Sequence, residues 1–492
     1  MVASQGVVLA IDAGTTGVRT RAVFRDGRKS IADYREFTQH YPQPGWVEHD
    51  AEEIWQAVRA TLQAVCAKLD EPVAAIGITN QRETIVAIDR VTGAPLHRAI
   101  VWQDRRTANR CDSLADHLPA VRATTGLVLD PYFSGSKVEW LLRNTEVSRN
   151  KNLAFATIDA FIIHRLTGGT SFATDVSNAS RTMLFDIRTL RWSDDMCGLF
   201  GVDPATLPDV VSSSGRIGVT VRDGAIPAGV PISGVAGDQQ AALFGQACFA
   251  TGSAKNTYGT GSFVLMNVGT GCPAPTSGML TTVAWRIGDQ SAVYALEGAI
   301  FVTGAAVQWL RDGLRIIEKS SDIGPLAESV ADSGGVVVVP AFAGLGSPWW
   351  DPYARGSIFG ITRGTSRAHI ARAVVESMVY QTRDVVDAMT RASGVAISDL
   401  RVDGGAAVMD LMLQMQSDQL GVDVLRPTEL ETTAIGAAYL AGLAEGVWGS
   451  TTDISSRWAL ERRFSPGPGA AARDSAHTTW LRAVERARAW AV

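Results

Sequence analysis

The sequence predicts an α/β protein with two related lobes and a ligand cleft between them. Short continuous apolar runs, such as residues 7–11 and 74–79, alternate with longer amphipathic stretches, which is typical of a largely parallel sheet covered by helices. Several of these runs, in both halves of the chain, end in an acidic or Gly/Thr-rich turn. Because ligands bind beyond the carboxyl ends of such strands, the repetition indicates a shared cleft.

The first half begins with a strand that is buried on both faces. Residues 7–11 are an unbroken apolar run, and residues 22–24 resemble its hairpin partner. A helix begins after Asp50, where Glu53 has the spacing of a capping box and apolar residues follow at helical intervals. Residues 74–79 predict a second buried strand.

The second half repeats this pattern of strands and helices. The predicted strands are residues 230–235, 254–257, 336–339 and 400–402. The predicted helices cover residues 370–389, a segment that runs through Gln414, and residues 432–443. The last of these is rich in Ala and Gly, so we expect it to pack closely against its neighbours.

Composition excludes several classes of protein. The 492 residues include 45 Lys and Arg against 50 Asp and Glu, a net charge of −5, so a nucleic-acid footprint is not expected. No apolar run approaches the length that crosses a bilayer, so we expect no membrane insertion and a cytoplasmic location. The five cysteines and seven histidines show no metal or disulfide spacing, and the cysteines are predicted to be scattered buried thiols.

Three turns have the composition of phosphate-binding loops. The first starts at Asp12, the second is residues 259–261, and the third starts at Asp403. Glycines let backbone N–H groups approach phosphate oxygens, and a carboxylate at a strand end can hold hydrated Mg²⁺. Taken alone, the first turn is slightly more typical of a plain hairpin. No Walker A sequence occurs, so the three turns together indicate phosphoryl transfer by a kinase without a P-loop.

The acceptor side of such a reaction needs a base near a hydroxyl group. Asp238 follows a predicted strand and can serve as that base or, alternatively, as a helix N-cap. Arg82 and Glu83 offer a donor fork and an acceptor that suit a polyol, although a surface ion pair is the ordinary alternative. Aromatic residues that can wall a short carbon skeleton, or simply fill the core, are Trp102, Tyr132 and Phe263.

Longer motifs resemble those of one kinase family. Residues 132–144 and 356–376 match the two signatures of the FGGY carbohydrate kinases, and residues 80–84, 237–245 and 256–261 are similar to the members that phosphorylate glycerol. The resemblance runs from about residue 7 to about residue 448.

The resemblance implies a fold and an activity. The fold is two ribonuclease-H-like domains of the actin and hexokinase ATPase type, which we expect at residues 1–248 and 249–492. The activity is transfer of a phosphoryl group from MgATP to glycerol, giving sn-glycerol 3-phosphate and ADP. Its partners are therefore glycerol and MgATP, and a homo-oligomer, dimer or tetramer, is expected.

The resemblance also assigns site residues. The expected glycerol contacts are Arg82, Glu83, Trp102, Tyr132, Asp238, Gln239 and Phe263. The expected nucleotide contacts are Thr15, Thr16, Gly17, Arg19, Thr260, Gly304, Gln308, Gly405 and Met409. Asp238 is the expected general base, and Asp12 is expected to hold Mg²⁺ through water.

The chain departs from the family pattern at a few positions. Ala13, Gly17 and Met409 replace the usual Gln, Ser and Asn on the nucleotide side. Residues 222–228 replace the loop through which fructose 1,6-bisphosphate inhibits some relatives, so that inhibition is not expected. Two other functions stay open from the sequence: a kinase for a larger polyol or ketose, and a non-catalytic actin-like protein.

Overall fold

The structure, a computed structural model, describes residues 6–276 and 278–491. The strands are β1 Val7–Ala13, β2 Gly17–Val23, β3 Ile31–Glu36, β4 Gln39–His40, β5 Glu48–His49, β6 Val73–Asn80, β7 Ile85–Asp89, β8 Ala99–Ile100, β9 Leu153–Thr157, β10 Ala173–Asp175, β11 Phe185–Asp186, β12 Arg191–Trp192, β13 Asp209–Val211, β14 Ser214–Val219, β15 Pro231–Gly237, β16 Ser253–Tyr258, β17 Ser262–Gly269, β18 Leu280–Trp285, β19 Val293–Ile300, β20 Val337–Val339, β21 Ser357–Phe359, β22 Asp399–Gly404, β23 Asp423–Pro427 and β24 Leu460–Phe464.

The α-helices alternate with these strands along the chain. They are α1 Ala51–Cys66, α2 Ala108–Ser113, α3 Leu118–Thr125, α4 Ser134–Asn144, α5 Ile158–Leu166, α6 Val176–Ala179, α7 Asp194–Phe200, α8 Asp238–Gly245, α9 Gly304–Gln308, α10 Ile323–Glu328, α11 Arg367–Ser393, α12 Asp410–Leu420, α13 Thr432–Ala444, α14 Thr451–Arg457 and α15 Ala470–Ala487.

Two large sheets have similar topologies. The first has the order β14-β15-β6-β1-β2-β3, and the second has the order β18-β19-β17-β16-β22-β23-β24. In each sheet the first strand in sequence, β1 or β16, begins a set of antiparallel strands on one side. In the first sheet this set is the meander β1-β2-β3, whereas in the second sheet β17 pairs with β19 and β18 is the additional outer strand. On its other side, β1 or β16 pairs with a parallel strand, β6 or β22, which is followed by a second parallel strand. The predicted pair of related α/β lobes is therefore present.

The continuous apolar run at the start of the chain is explained by helices on both faces of β1. Val7, Leu9 and Ile11 pack in the core that contains α1. Val8 and Ala10 point to the opposite face, into the core that contains α13. Because successive side chains of a strand alternate between faces, a strand covered on both sides is apolar throughout.

Helices α8 and α13 cross at glycines, with almost no space between their backbones. A Cβ atom placed on Gly436 would lie 1.8 Å from the carbonyl oxygen of Ala241, and one on Gly245 would lie 2.1 Å from that of Thr432. A Cβ atom on Gly77 of β6 would lie 2.1 Å from the oxygen of Ala437. The Ala/Gly-rich segment is thus a closely packed helix, as predicted, and it lies against the first sheet.

The start of α1 differs in one detail from the prediction. Asp50 is the N-cap, and its carboxylate accepts a hydrogen bond from the Glu52 amide at 2.8 Å. Glu53 does not complete a capping box, because its carboxylate accepts from the Thr38 amide at 2.9 Å. The loop between β3 and β4 takes the place of the N-cap backbone.

Three predicted absences can be compared with the described part of the chain. No helix there is long and apolar enough to cross a membrane. The same residues contain no cluster of three or more His, Cys, Asp or Glu side chains that could hold a metal ion. All five cysteines, which lie within the described ranges, are free thiols, but only three of them are buried as predicted, because Cys66 and Cys272 are partly exposed.

Candidate active site

Parallel strands bring the first set of predicted residues to one edge of the first sheet. The register pairs Ala13 of β1 with Asn80 of β6, and Asn80 with Gly237 of β15. The residues that follow these strand ends, including Arg82 and Asp238, therefore lie side by side. Their positions follow from strand register, which the sequence predicts only in outline.

Arg82 contacts most of the residues that are predicted to bind the phosphoryl acceptor, a group called the acceptor side below. Its side chain is only 2% exposed, and its Nε lies 3.2 Å from Asp238 Oδ1. Its Nη2 donates to the Tyr132 hydroxyl at 3.3 Å, and its guanidinium carbon lies 5.9 Å from the centre of the Phe263 ring. The Trp102 and Tyr132 rings meet edge to face at 5.6 Å. Five of the seven predicted glycerol contacts are joined in this way.

Asp238 is the first residue of α8, and Gly237 is the N-cap, so the N-cap alternative for Asp238 is wrong. One carboxylate oxygen accepts from the Gln239 amide at 2.7 Å. Burial raises the pKa of Asp238, while the positive charges of Arg82 and Lys255 pull it back. A carboxylate with a raised pKa accepts a proton more readily, which suits a general base.

Glu83 does not form a surface ion pair. Its side chain is 2% exposed, and its Oε1 accepts from Arg181 Nε at 2.7 Å. Its backbone has a φ of 61°, in the left-handed region that a Glu rarely adopts. The backbone oxygen of Glu83 accepts from the Ser134 hydroxyl at 3.0 Å, which helps to hold this conformation.

Three buried charged residues of the site were missed in the sequence. Glu297 of β19 accepts from both Arg82 and Arg181, and Lys255 of β16 donates to the side chains of Gln239 and Thr257. Arg181 and Glu297 have fully buried side chains, and Lys255 is also 0% exposed. Nothing local marks Arg181 or Lys255, because both lie in polar segments. Glu297 is the exception, since a charged residue inside the otherwise apolar run of β19 signals a buried partner.

The first phosphate loop contacts the acceptor side directly. Trp102 Nε1 donates to the Thr15 hydroxyl at 3.0 Å. Thr16 is exposed, and the Thr16 and Tyr34 hydroxyls lie 3.4 Å apart. A Cβ atom on Gly17 would lie 2.6 Å from the Arg35 carbonyl oxygen, so a side chain there would require β2 and β3 to move apart.

Neutral buried side chains hold this loop from behind. Gln39 Nε2 donates to the Thr15 carbonyl oxygen at 3.0 Å, and Gln81 Nε2 donates to that of Gly14 at 3.0 Å. His49 lies between the two glutamines, 2.7 Å from Gln39 Oε1. Burial lowers the pKa of His49 to about 4, so the ring is neutral at pH 7.

Asp12 and Arg19 lie next to the first loop. The two residues are register partners in the β1–β2 hairpin, and Arg19 also pairs with Glu431. Burial and the negative charge of Asp238 raise the pKa of Asp12 to about 7, although Arg19 opposes this. A divalent cation would relieve the repulsion between the two carboxylates, so the residues present fit a cation held by Asp12.

The second set of predicted residues lies in the second sheet. The register pairs Tyr258 of β16 with Gly404 of β22, so the turns that carry Thr260 and Gly405 are adjacent. The amides of Gly304 and Ala305, at the start of α9, donate to the oxygens of Gly259 and Thr260 at 3.1 and 2.9 Å. This arrangement joins the second turn to the helix that carries Gln308.

These nucleotide-side residues face open space. Thr260, Gln308 and Gly405 are exposed, and a Cβ atom on Gly405 would meet no atom within 4 Å. Met409 is the residue before α12 and lies against Gly324, where its Cγ would be 3.5 Å from an added Cβ. Gly304 and Met409 are half-buried, as are several glycerol-side residues, so only Thr260, Gln308 and Gly405 differ from the glycerol side in exposure.

The chain matches known proteins along almost its whole length. The N-terminal domain of the FGGY family of carbohydrate kinases matches residues 7–245, and the C-terminal domain of the same family matches residues 254–445. The glycerol kinase of Symbiobacterium thermophilum is 55% identical and that of Dechloromonas aromatica is 52% identical, each with 99% of both chains covered.

Solved structures have the same fold. The crystal structure of Plasmodium falciparum glycerol kinase with ADP gives a TM-score of 0.92 at 34% identity, and 98% of each chain is covered. A gluconate kinase from Lactobacillus acidophilus gives a TM-score of 0.89 at 21% identity, with 98% of each chain covered. The predicted fold of the actin and hexokinase type is therefore confirmed.

Proposed function

The chain belongs to the FGGY family of carbohydrate kinases, and we propose that it transfers the γ-phosphoryl group of ATP to a terminal hydroxyl of glycerol, giving sn-glycerol 3-phosphate and ADP. Its full-length similarity to glycerol kinases supports this substrate. The single observation that carries the proposal is the Arg82–Asp238 pair beside the Trp102–Tyr132 wall.

We propose that the half-buried acceptor side holds glycerol. Its contacts are Arg82, Glu83, Trp102, Tyr132, Asp238, Gln239 and Phe263. The two rings and Phe263 cover the carbon skeleton, while the Arg82 fork donates to hydroxyl oxygens. A site with charged groups this close together suits a small molecule with a hydroxyl on every carbon.

Asp238 acts in this proposal as the general base. Its carboxylate takes the proton of the attacking hydroxyl as the oxygen bonds to phosphorus and the bond to the ADP oxygen breaks. Arg82, whose Nε lies 3.2 Å from Asp238 Oδ1, keeps the carboxylate in one orientation. Phosphoryl transfer depends mainly on positioning and on electrostatic stabilisation, so this alignment is important.

We propose that the predicted phosphate loops and the residues next to them hold ATP. Thr15, Thr16, Gly17 and Arg19 approach the phosphates from the first sheet, and Thr260, Gly304, Gln308, Gly405 and Met409 hold the rest of the nucleotide from the second. The Trp102–Thr15 hydrogen bond supports this arrangement, because it links the glycerol wall to the phosphate loop.

Mg²⁺, when bound with ATP, supplies positive charge to the phosphate oxygens. Asp12 is the residue that we propose to hold it through water, since its carboxylate lies at a strand end beside the first loop. The pKa of about 7 for Asp12 without a cation supports this assignment.

Further parts of the proposal concern the whole chain. We propose a division into domains at residues 1–248 and 249–492, and a homo-oligomeric assembly. A cytoplasmic location suits an enzyme whose phosphoryl donor is ATP.

The proposal is tested by ADP release with MgATP and one of four acceptors: glycerol, dihydroxyacetone, erythritol or xylulose. We expect strong release with glycerol. Release only with a larger polyol or with xylulose would contradict the substrate, and release that needs no polyol would contradict the kinase activity itself.

A further inference from the structure

A buried network of four charges lies beneath the acceptor side. Its members are Arg82, Glu83, Arg181 and Glu297, whose side chains are at most 2% exposed. Three of them come from the first half of the chain, while Glu297 comes from β19 in the second sheet. Two positive and two negative charges balance, so the network is neutral as a whole.

Glu297 makes three hydrogen bonds to arginines. It accepts from Arg82 Nη1 at 2.5 Å, from Arg82 Nη2 at 3.0 Å and from Arg181 Nη2 at 2.9 Å. Burial by itself raises the pKa of Glu297, but Arg181 and Arg82 outweigh it and bring the pKa to about 2. The carboxylate is therefore ionised at pH 7.

This arrangement determines which way Arg82 points. Both terminal nitrogens of the fork are bound to Glu297, and the planar group is therefore fixed. Its Nε then faces Asp238 at 3.2 Å, and Nη2 also reaches the Tyr132 hydroxyl at 3.3 Å. The orientation of Arg82 is set by the second half of the chain, although Arg82 itself follows a strand of the first.

Arg181 connects Glu297 to Glu83 through hydrogen bonds to both carboxylates. Its Nη2 donates to Glu297, and its Nε donates to Glu83 Oε1 at 2.7 Å. The guanidinium also lies over the Tyr132 ring at 5.7 Å and the Phe133 ring at 5.3 Å. Glu297 thus contacts Arg82 directly and reaches Glu83 through Arg181.

A contribution to the free energy of unfolding does not explain why four charged side chains are buried here. Removing charges from water costs about as much free energy as a buried pair regains, so apolar side chains of similar volume stabilise a core equally well. What apolar residues cannot do is hold a guanidinium in one plane. The geometry therefore favours a role in the site.

We propose that Glu297 is a positioning residue for the acceptor site, which orients Arg82 towards Asp238 and the polyol hydroxyls and, through Arg181, holds Glu83. This inference rests on the proposed function. It assigns part of the glycerol site to a residue of the second half that does not itself contact the substrate.

The test compares E297Q and E297D with the unaltered protein by steady-state kinetics. For E297Q we expect kcat/KM for glycerol to fall by about 10²-fold, because a misplaced contact of roughly 1 Å costs that much, while KM for ATP changes by less than about twofold. E297D keeps the negative charge, so we expect its kcat/KM for glycerol to be at least about tenfold higher than that of E297Q.

A matched control separates positioning from stability. Asp384 is also a buried carboxylate, which accepts from His477 and from Trp480 at 2.7 and 2.8 Å, between α11 and α15. D384N is expected to lower the thermal midpoint and to leave KM for glycerol unchanged. If E297Q raises both KM values together, as a general loss of structure would, the inference is wrong.

Different results would contradict the proposed function and the positioning role of Glu297. If the unaltered protein releases no ADP with glycerol, the proposed function is wrong. If it does, and E297Q keeps its KM and kcat for glycerol, only the positioning role is wrong. Should E297Q not fold, R181K replaces it: the inference requires a raised KM for glycerol there too, and an unchanged KM overturns it.

Discussion

At the scale of single residues, Arg82 and Asp238 have the contacts on which the proposed chemistry depends. The side chain of Arg82 is buried, whereas the side chain of Asp238 is 31% exposed. A base must be reached by its substrate, whereas the group that orients it must not move. The difference in exposure therefore agrees with the two proposed roles.

Replacing Asp238 by Asn removes the proton acceptor and keeps the shape of the side chain. We expect turnover with glycerol to fall by about 10²–10⁴-fold, the usual contribution of general base catalysis. ATP binding, measured by calorimetry, should stay within about twofold because Asp238 does not contact the nucleotide in this proposal. D195N, at an exposed position of α7, is the control; near-normal turnover of D238N would exclude Asp238 as the base.

The lowered pKa of Lys255 leads us to expect that kcat/KM for glycerol declines at alkaline pH. Burial lowers its pKa to about 8, and the protonated amine donates to Gln239. As the pH rises through about 8 the amine loses its charge, so kcat/KM for glycerol should fall by about tenfold, the value of one charge-assisted hydrogen bond.

The measurement is a pH profile of kcat/KM for the unaltered protein and for K255M, with the coupling enzymes in excess. K255M should be slow and show no such decline. A flat alkaline limb in the unaltered protein would contradict this role for Lys255.

At the scale of elements, the crossing of α8 and α13 joins the two halves. The two helices meet at Gly245 and Gly436, and the second helix also covers β6 at Gly77. Because the backbones touch, neither helix can gain a side chain there without moving. The sequence shows this only as a composition rich in Ala and Gly.

Replacing Gly436 by Ala is expected to destabilise the protein. The added Cβ would lie 1.8 Å from the Ala241 oxygen, and overpacking of this kind costs about 1–3 kcal/mol. Denaturant unfolding measures the change. G198A is the matched control, since Gly198 lies in α7 with no atom within 4 Å of an added Cβ, and there Ala should stabilise the helix by up to about 1 kcal/mol. Equal effects of the two changes would contradict the close crossing.

At the scale of the whole molecule, the proposed substrates bind between two sheets. Four glycerol-side residues, Arg82, Glu83, Asp238 and Gln239, follow strands of the first sheet, whereas Phe263 lies in β17 of the second. Most nucleotide-side residues follow strands of the second sheet. Transfer to water has to be prevented while both substrates are bound, which kinases achieve by closing around them. Closure would bring the exposed turn at Thr260 towards the first phosphate loop.

We expect the radius of gyration in small-angle X-ray scattering to decrease when glycerol, Mg²⁺ and a non-hydrolysable ATP analogue are all present. Glycerol alone should have a smaller effect, because it contacts mainly the first half. Identical curves with and without the full set of ligands would count against closure.

Much of the fold and part of the site were predictable from local patterns. The apolar runs identified six of the thirteen described strands of the two main sheets, mainly the central ones, because a strand that is covered on both faces has to be apolar throughout. The run at residues 336–339 became β20, which lies in a separate two-stranded sheet.

The turns at Asp12, Thr260 and Gly405 were predicted because glycine and threonine at a strand end suit phosphate oxygens. The structure places these turns at strand ends, and their contact with phosphate stays a prediction. The prediction of a capping box at Glu53 was wrong. Its carboxylate accepts from the backbone amide of Thr38 instead of the N-cap amide, and Thr38 belongs to a different segment of the chain.

The sequence by itself determined the α/β class, the two related halves and the residues next to each strand end, because all of these depend on neighbours within a few positions. Only the tertiary structure decided that Glu297 holds Arg82, a partner 215 residues away, and that α13 lies on the first sheet. A buried charge is stable only where an opposite charge meets it, and that meeting is fixed by the packing of the two sheets, not by any local pattern.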